Sequence, residues 1–279
     1  MKKIISLVLV FALALTMMFA LASCGEVTVS KVGVQKGTTS KMYADVLKGV
    51  EVASYDTFAL AAKDMKNGNV DYVVVDKTTA KALCDEIDGL KIIDIPLSSE
   101  NYGIAVDKAQ DSLKDQINTI LADKWADIAS IMAKYEAGLE ATYVGVESAE
   151  KNVDNAAGQL VVATNAEFAP WEYLEGDKYY GIDMEIANLI ATELGLELVI
   201  EDMDFDNVVG SVGKQGIDIA MSGITITAER MDVVNFCNPY YTESIVVVCL
   251  EDDTSLAKVG TVVDILNVLC TPKDAEDAE

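Results

Sequence analysis

Three short stretches of this chain carry residue types that hold small charged molecules. In GIDIAMSGITITAER an apolar run ends in the turn Ser222-Gly223-Ile224-Thr225, and Arg230 follows. A guanidinium is a planar fork that grips a carboxylate through two parallel hydrogen bonds. In NVDYVVVD an apolar run closes on Asp76, where a side chain emerges at the carboxyl edge of a parallel sheet. The same aspartate equally suits the cap of the following helix, TTAKAL. In Gln35-Lys36-Gly37-Thr38-Thr39 a strand gives way to a helix, and the free N–H groups of a first turn attract an anion. The run GVQKGTTSK lacks the GxxxxGK[ST] spacing of a nucleotide loop. Upstream of Arg230, LVVATNAEFAPWEY opens into a loop holding Phe168, Trp171 and Tyr173. Aromatics, hydroxyls and one arginine at strand ends suit a small ligand with an apolar body and a carboxylate.

Those side chains need a scaffold, and the pattern around them supplies one. KVGVQ, VEVASY, VDYVVVD and LKIIDI read as strands, with helices over Met42–Leu47, Phe58–Met65 and Thr79–Ile87. Residues 160–250 repeat the style, with Ile182, Ile186, Leu189, Ile190 and Leu194 at helical spacing and Gly195 as the stop. Strand-helix alternation predicts sheets flanked by helices, and two such blocks predict two α/β lobes. Between them, Asp111–Leu121 and Trp125–Tyr135 read as amphipathic helices. EDDTSLAKVGTVVDILNVLC reads as a short helix, with Thr254 as a candidate cap, or as a strand.

GIDMEIANLIATEL and GITITAER resemble the signature and ligand turn of the bacterial extracellular solute-binding proteins of family 3, the amino-acid-binding components of ABC importers. KVGVQKGTTSKMYAD, NVDYVVVDKTTAKAL and ENYGIAVDK, with the helices ending at IMAKYE, resemble that family's second half. The second half therefore precedes the first, and the chain resembles a circular permutation. The resemblance implies a two-lobed, periplasmic-binding-protein-like (type II) α/β fold. It divides the chain into a lipoprotein signal peptide (1–23), a second ligand-binding lobe in family order (26–100) and a return strand with helices on the first lobe (101–137). A linker (138–158), the first lobe (159–250) and a tail without an assigned role (251–279) complete it.

The resemblance also implies roles for single residues. Arg230 takes a ligand's α-carboxylate, assisted by Thr225 and backbone donors around Gly223, and Asp76 takes its α-ammonium. Thr38 and Thr39 add a second grip on the carboxylate. Phe168 and Phe205 sandwich the ligand, and Ser222 and Gln35 add hydrogen bonds. Asn165 stands where members that bind cationic amino acids often carry an acid, so its amide favours a polar uncharged ligand, while Glu167 nearby keeps a cation open. The expected function is a binding protein that presents a free amino acid to membrane permease subunits, without a cofactor and without catalysis. The rival class is a dehydratase of cyclic acids on the same fold. It needs a general acid or base, and with no histidine only carboxylates such as Glu167 or Asp76 remain. A third class is a sensory or non-transport remnant.

Composition sets the address. Lys2 and Lys3 precede an apolar run from Ile4 to Ala22, and Leu21-Ala22-Ser23-Cys24 follows the lipoprotein pattern, in which Cys24 is lipidated. A retained membrane anchor is the alternative, and either places the domain outside the cytoplasm. The net charge of −25 repels phosphate backbones and argues against nucleic acid. Without histidine or a CxxC pair a zinc site is not expected. Asp202-Met-Asp204-Phe-Asp206 starts like a calcium loop, but Asn207 replaces the needed glycine. Free thiols are expected at Cys84, Cys237, Cys249 and Cys270, with a Cys237–Cys249 bridge as the alternative. The closing KDAEDAE reads as a disordered acidic tail.

Overall fold

Alternation along the central strands explains how the lobes are layered. In the strand Tyr72–Asp76, Val73 and Val75 join one buried cluster and Tyr72 and Val74 another, because successive side chains point to opposite faces of a sheet. The structure is a computed structural model describing residues 29–152 and 158–271; the expected export signal, Cys24 and the acidic tail from Lys273 lie outside the described residues. The first sheet runs Val50–Tyr55, Ser30–Gln35, Tyr72–Asp76, Ile245–Leu250, Leu90–Ile93. Its first three strands are parallel, and Ile245–Leu250 is antiparallel to both neighbours. Helices Phe58–Lys66 and Lys77–Glu86 cover one face, burying Phe58, Ala62, Met65 and Leu83.

The second sheet runs Glu197–Asp202, Gln159–Thr164, Ile219–Ala220, Ala105–Val106, Asn235–Phe236. Again the first three are parallel, and Ala105–Val106 is antiparallel to its neighbours. The helix Ile182–Leu194 buries Ile186 and Ile190 against one face, together with Ile117 and Ile128 of the helices Asp111–Asp123 and Trp125–Glu136. On the other face Phe205 and Val208 of the helix Phe205–Ser211 meet Val161, Ala163 and Val199. This is the two-lobed α/β fold, each lobe a sheet flanked by helices. We call the lobes after the residues they contribute, the Asp76 lobe and the Arg230 lobe. Glu100–Tyr102 and Tyr241–Glu243 carry the chain between them as one antiparallel pair.

Two segment boundaries differ from expectation. The run Ile245–Leu250, assigned by sequence to the Arg230 lobe within 159–250, lies inside the sheet of the Asp76 lobe. An apolar strand buried on both faces suits an interior position in either sheet, so local pattern does not choose between them. The tail assigned no role over 251–279 forms the helix Val262–Cys270, which seats Ile265 and Leu269 on Val32, Val34 and Val74 of the first sheet. Burying two such aliphatic side chains contributes roughly 3–6 kcal/mol, so the segment is a structural layer. Its cap is Thr261, in a reciprocal capping box with Asp264, and not Thr254.

The polar stretch after Gly138 is pinned along the Arg230 lobe. Val146 pairs with Tyr179, and the Ala149 N–H donates to the Leu198 carbonyl at 2.8 Å. Cys237 and Cys249 sit in different lobes, and all four cysteines of the described residues are free. Burial pushes the Cys237 thiol up to about 12 and the Cys249 thiol up to about 11. No helix among the described residues is long and apolar enough to cross a membrane.

Candidate ligand-binding site

Both lobes end their strands at one small void. Gln35, Thr38, Thr39 and Asp76 line it from one lobe, and Phe168, Phe205, Ser222, Gly223, Thr225 and Arg230 from the other. A larger groove of about 1770 Å³, open to solvent, borders the crossing strands at Tyr135, Tyr241 and Ser244, but it gathers neither Arg230 nor Asp76.

Arg230 stands on the short helix Ala228–Val233, whose cap Thr227 accepts the Arg230 N–H at 3.2 Å. Its Nη1 donates to the Thr225 carbonyl at 2.7 Å and its Nη2 crosses to the Gly37 carbonyl of the other lobe at 3.0 Å. The guanidinium lies 5.5 Å from the centre of the Phe205 ring. Among the described residues no carboxylate pairs with it within 4.0 Å. Burial lowers its pKa, opposed by the charges of Glu100 and Asp76. A desolvated guanidinium bonded only to carbonyls retains its affinity for an anion.

Asp76 occupies the cap position of the helix Lys77–Glu86 but makes no side-chain cap bond. Its carboxyl instead accepts the Tyr102 hydroxyl at 2.8 Å. Burial, then the charges of Glu243 and Glu100, push its pKa up to about 8. The site therefore lacks a cation at this carboxyl. The sign of the linkage is opposite to that of a salt-bridged carboxylate. The folded state holds a proton that the unfolded chain has released, so this residue's contribution to stability is full below about pH 4 and is lost as pH rises towards about 8. Asp76→Asn is expected to flatten the fall in melting temperature across that window, with Glu172 supplying the remaining slope; an unchanged slope by thermal melting would contradict the buried-acid assignment.

The hydroxyls are differently engaged. Thr38 caps the helix Thr39–Asp45, accepting from the Lys41 N–H at 3.2 Å and donating to the Gln35 carbonyl at 2.7 Å. Thr39 and Thr225 both donate to Glu100 Oε2, at 2.7 and 2.6 Å. Ser222 donates to Glu172 Oε1 at 2.7 Å and accepts the Asn165 N–H at 3.2 Å.

Two expectations need correction. The Gly223 N–H is not a free donor for a carboxylate, because it donates to Asp183 Oδ2 at 2.9 Å. Asn165 does not line the void. Its amide accepts from Gln35 Nε2 at 2.9 Å and donates to the Met203 carbonyl at 3.1 Å, so it ties the lobes together and says nothing about a ligand's side chain.

The acids of GIDMEIA are architectural. Asp183 fixes the Gly223 turn and accepts the Tyr240 hydroxyl at 2.7 Å. Burial raises its pKa to about 6, opposed by those two hydrogen bonds. Glu185 accepts the Tyr135 hydroxyl and the Val144 N–H, at 2.8 and 3.0 Å, and pairs with Lys134. Glu172 is wholly buried beside Asp183, and burial with that neighbouring charge holds its carboxyl well above the usual range. Trp171 is core, donating to Thr78 and edge-on to Tyr102 and Tyr241. Glu100 escaped the sequence reading, since its partners lie 61 and 125 residues away. The one available signal is an acid that opens the crossing strand.

Residues 160–276 match the family described as bacterial extracellular solute-binding proteins, family 3. Over this segment the chain is similar to that family. Over 105 residues the chain is 33% identical to the arginine-binding extracellular protein ArtP of Bacillus subtilis, covering 38% of this chain and 41% of that protein. Over 85 residues it is 36% identical to the cyclohexadienyl dehydratase of Pseudomonas aeruginosa, covering 30% and 32%. The arginine-bound domain 1 of TmArgBP is 33% identical, with 43% of this chain and 98% of that domain covered and a TM-score of 0.30. The chain thus spans less than half the length of these two curated relatives.

Proposed function

We propose that the protein is a lipid-anchored, extracytoplasmic binding component of an amino acid ABC importer, closing two lobes on one free amino acid. The observation that carries this is the pairing, across one void, of a half-buried guanidinium without a carboxylate partner and a buried carboxyl without a cation among the described residues. A zwitterion satisfies both ends at once, Arg230 taking its carboxylate and Asp76 its ammonium. Phe205 and Phe168 then offer faces to the rest of the ligand. Contacts from both lobes make closure the bound form, with the crossing strands Glu100–Tyr102 and Tyr241–Glu243 as the hinge. The proposed order of halves is the permuted one. Residues 138–158 then lead from the return helices to the opening strand Gln159–Thr164, and permease subunits receive the loaded form.

The ligand screen is a thermal-shift series against the common free amino acids. A ligand at a hundred times its Kd adds about 2.7 kcal/mol to stability; a flat series would remove the assignment. The same screen addresses the second reading. Asp76, protonated near neutral pH, is a candidate general acid, and turnover of a cyclohexadienyl acid would favour the dehydratase.

Anchoring is read at Cys24. Cys24→Ser is expected to abolish labelling by a fatty-acid precursor and leave the precursor uncleaved. Persistent labelling would show that the lipid is attached elsewhere or that the segment is a plain anchor.

A further inference from the structure

We propose that Glu100, on the strand that carries the chain between lobes, makes the pocket selective for amino acids with a cationic side chain. The inference rests on the amino-acid reading and adds its specificity. A threonine hydroxyl has one proton to give. Thr39 from one lobe and Thr225 from the other both give theirs to Glu100 Oε2, at 2.7 and 2.6 Å. Both threonines line the void. With their protons committed, they present only lone pairs to a ligand. They therefore recognise N–H groups and do not recognise a carboxylate, which revises the carboxylate role expected of Thr39 and Thr225.

The charge count points the same way. Arg230 is the one cation lining the void, and Asp76 lines it as an acid. Glu100 stands behind Thr39 and Thr225, and its charge acts on both Asp76 and Arg230. A neutral zwitterion pairs its carboxylate with Arg230 and its ammonium with Asp76, which ionises on receiving it, and so leaves the Glu100 charge uncompensated. An amino acid with an ammonium or guanidinium side chain compensates all three. Ser98 already fills one site on Glu100 Oε1 at 3.1 Å, so Glu100 acts mainly through the field it sets and the two hydroxyls it orients. It is a positioning residue for specificity.

The test is calorimetric titration of the parent and of Glu100→Gln with L-arginine, L-lysine and the neutral, similarly long L-glutamine. The parent is expected to hold a basic ligand at least about tenfold tighter than glutamine, and Glu100→Gln to reduce that ratio by about tenfold. The ratio is taken within one variant, so partial loss of folded protein cancels. Parent binding of glutamine as tight as that of both basic ligands would overturn the proposal. So would an equal fall for every ligand in Glu100→Gln, which is the mark of a structural tie. Binding of no amino acid by the parent would overturn it together with the function on which it rests.

Discussion

Arg230→Ala is expected to weaken binding of a free amino acid by roughly two to three and a half decades. Truncating one partner of a buried charged pair costs about 3–5 kcal/mol, and about 1.4 kcal/mol is a decade. The reason is local. The guanidinium is bonded to two carbonyls, Thr225 and Gly37, and stacked near Phe205. Without it, a ligand carboxylate entering the void meets Asp76, the charge of Glu100 and two hydroxyls whose protons are already committed. The variant loses two hydrogen bonds worth about 1 kcal/mol each, so its melting temperature falls only modestly. Calorimetry and melting on the same sample separate the roles. Parent-like affinity with a large drop in melting temperature would make Arg230 scaffolding.

Gly181→Ala is expected to destabilise the protein by about 3–5 kcal/mol. Gly181 opens the helix Ile182–Leu194 with φ +121, a conformation that side chains rarely adopt. A Cβ there would stand 2.1 Å from the Trp171 carbonyl oxygen, backbone that has little room to withdraw. Trp171 is wholly buried between the crossing strands, and Asp183, two residues on, holds the Gly223 turn of the pocket. The strain therefore reaches the site as well as the fold. Urea unfolding of the variant checks it; a midpoint equal to the parent's would show that this loop relaxes freely.

What could be read from the chain alone follows from what is local. The helix Ile182–Leu194 announces itself through apolar spacing and a glycine stop, and Gly195 does end it in the left-handed region. Strand ends place Asp76, Thr38 and Ser222 at one edge because parallel strands deliver their carboxyl ends together. The strand Ile245–Leu250 was legible as a strand, yet not as a member of the Asp76 lobe, since its partners Val73–Asp76 and Leu90–Ile93 are fixed only by tertiary packing.

Within the site, residue type told more than residue role. Gly223 lines the void and Asn165 does not, and the two spend donors on Asp183 and Met203. Hydrogen bonds across such separations leave no periodic trace in a sequence, and for the same reason Glu100 stayed hidden. The helix Val262–Cys270 shows the converse case. Its apolar residues read as a short helix or a strand, while its cap at Thr261 and the sheet face it covers go unread.

The most direct measurement is calorimetric titration of the protein with a free amino acid and with the same amino acid amidated at its carboxylate. The account predicts one ligand bound per chain, with amidation removing most of the affinity because Arg230 then faces a neutral group. Equal affinity for both forms, or no heat with any common amino acid, would contradict the claim that Arg230 and Asp76 clamp a zwitterion between the lobes.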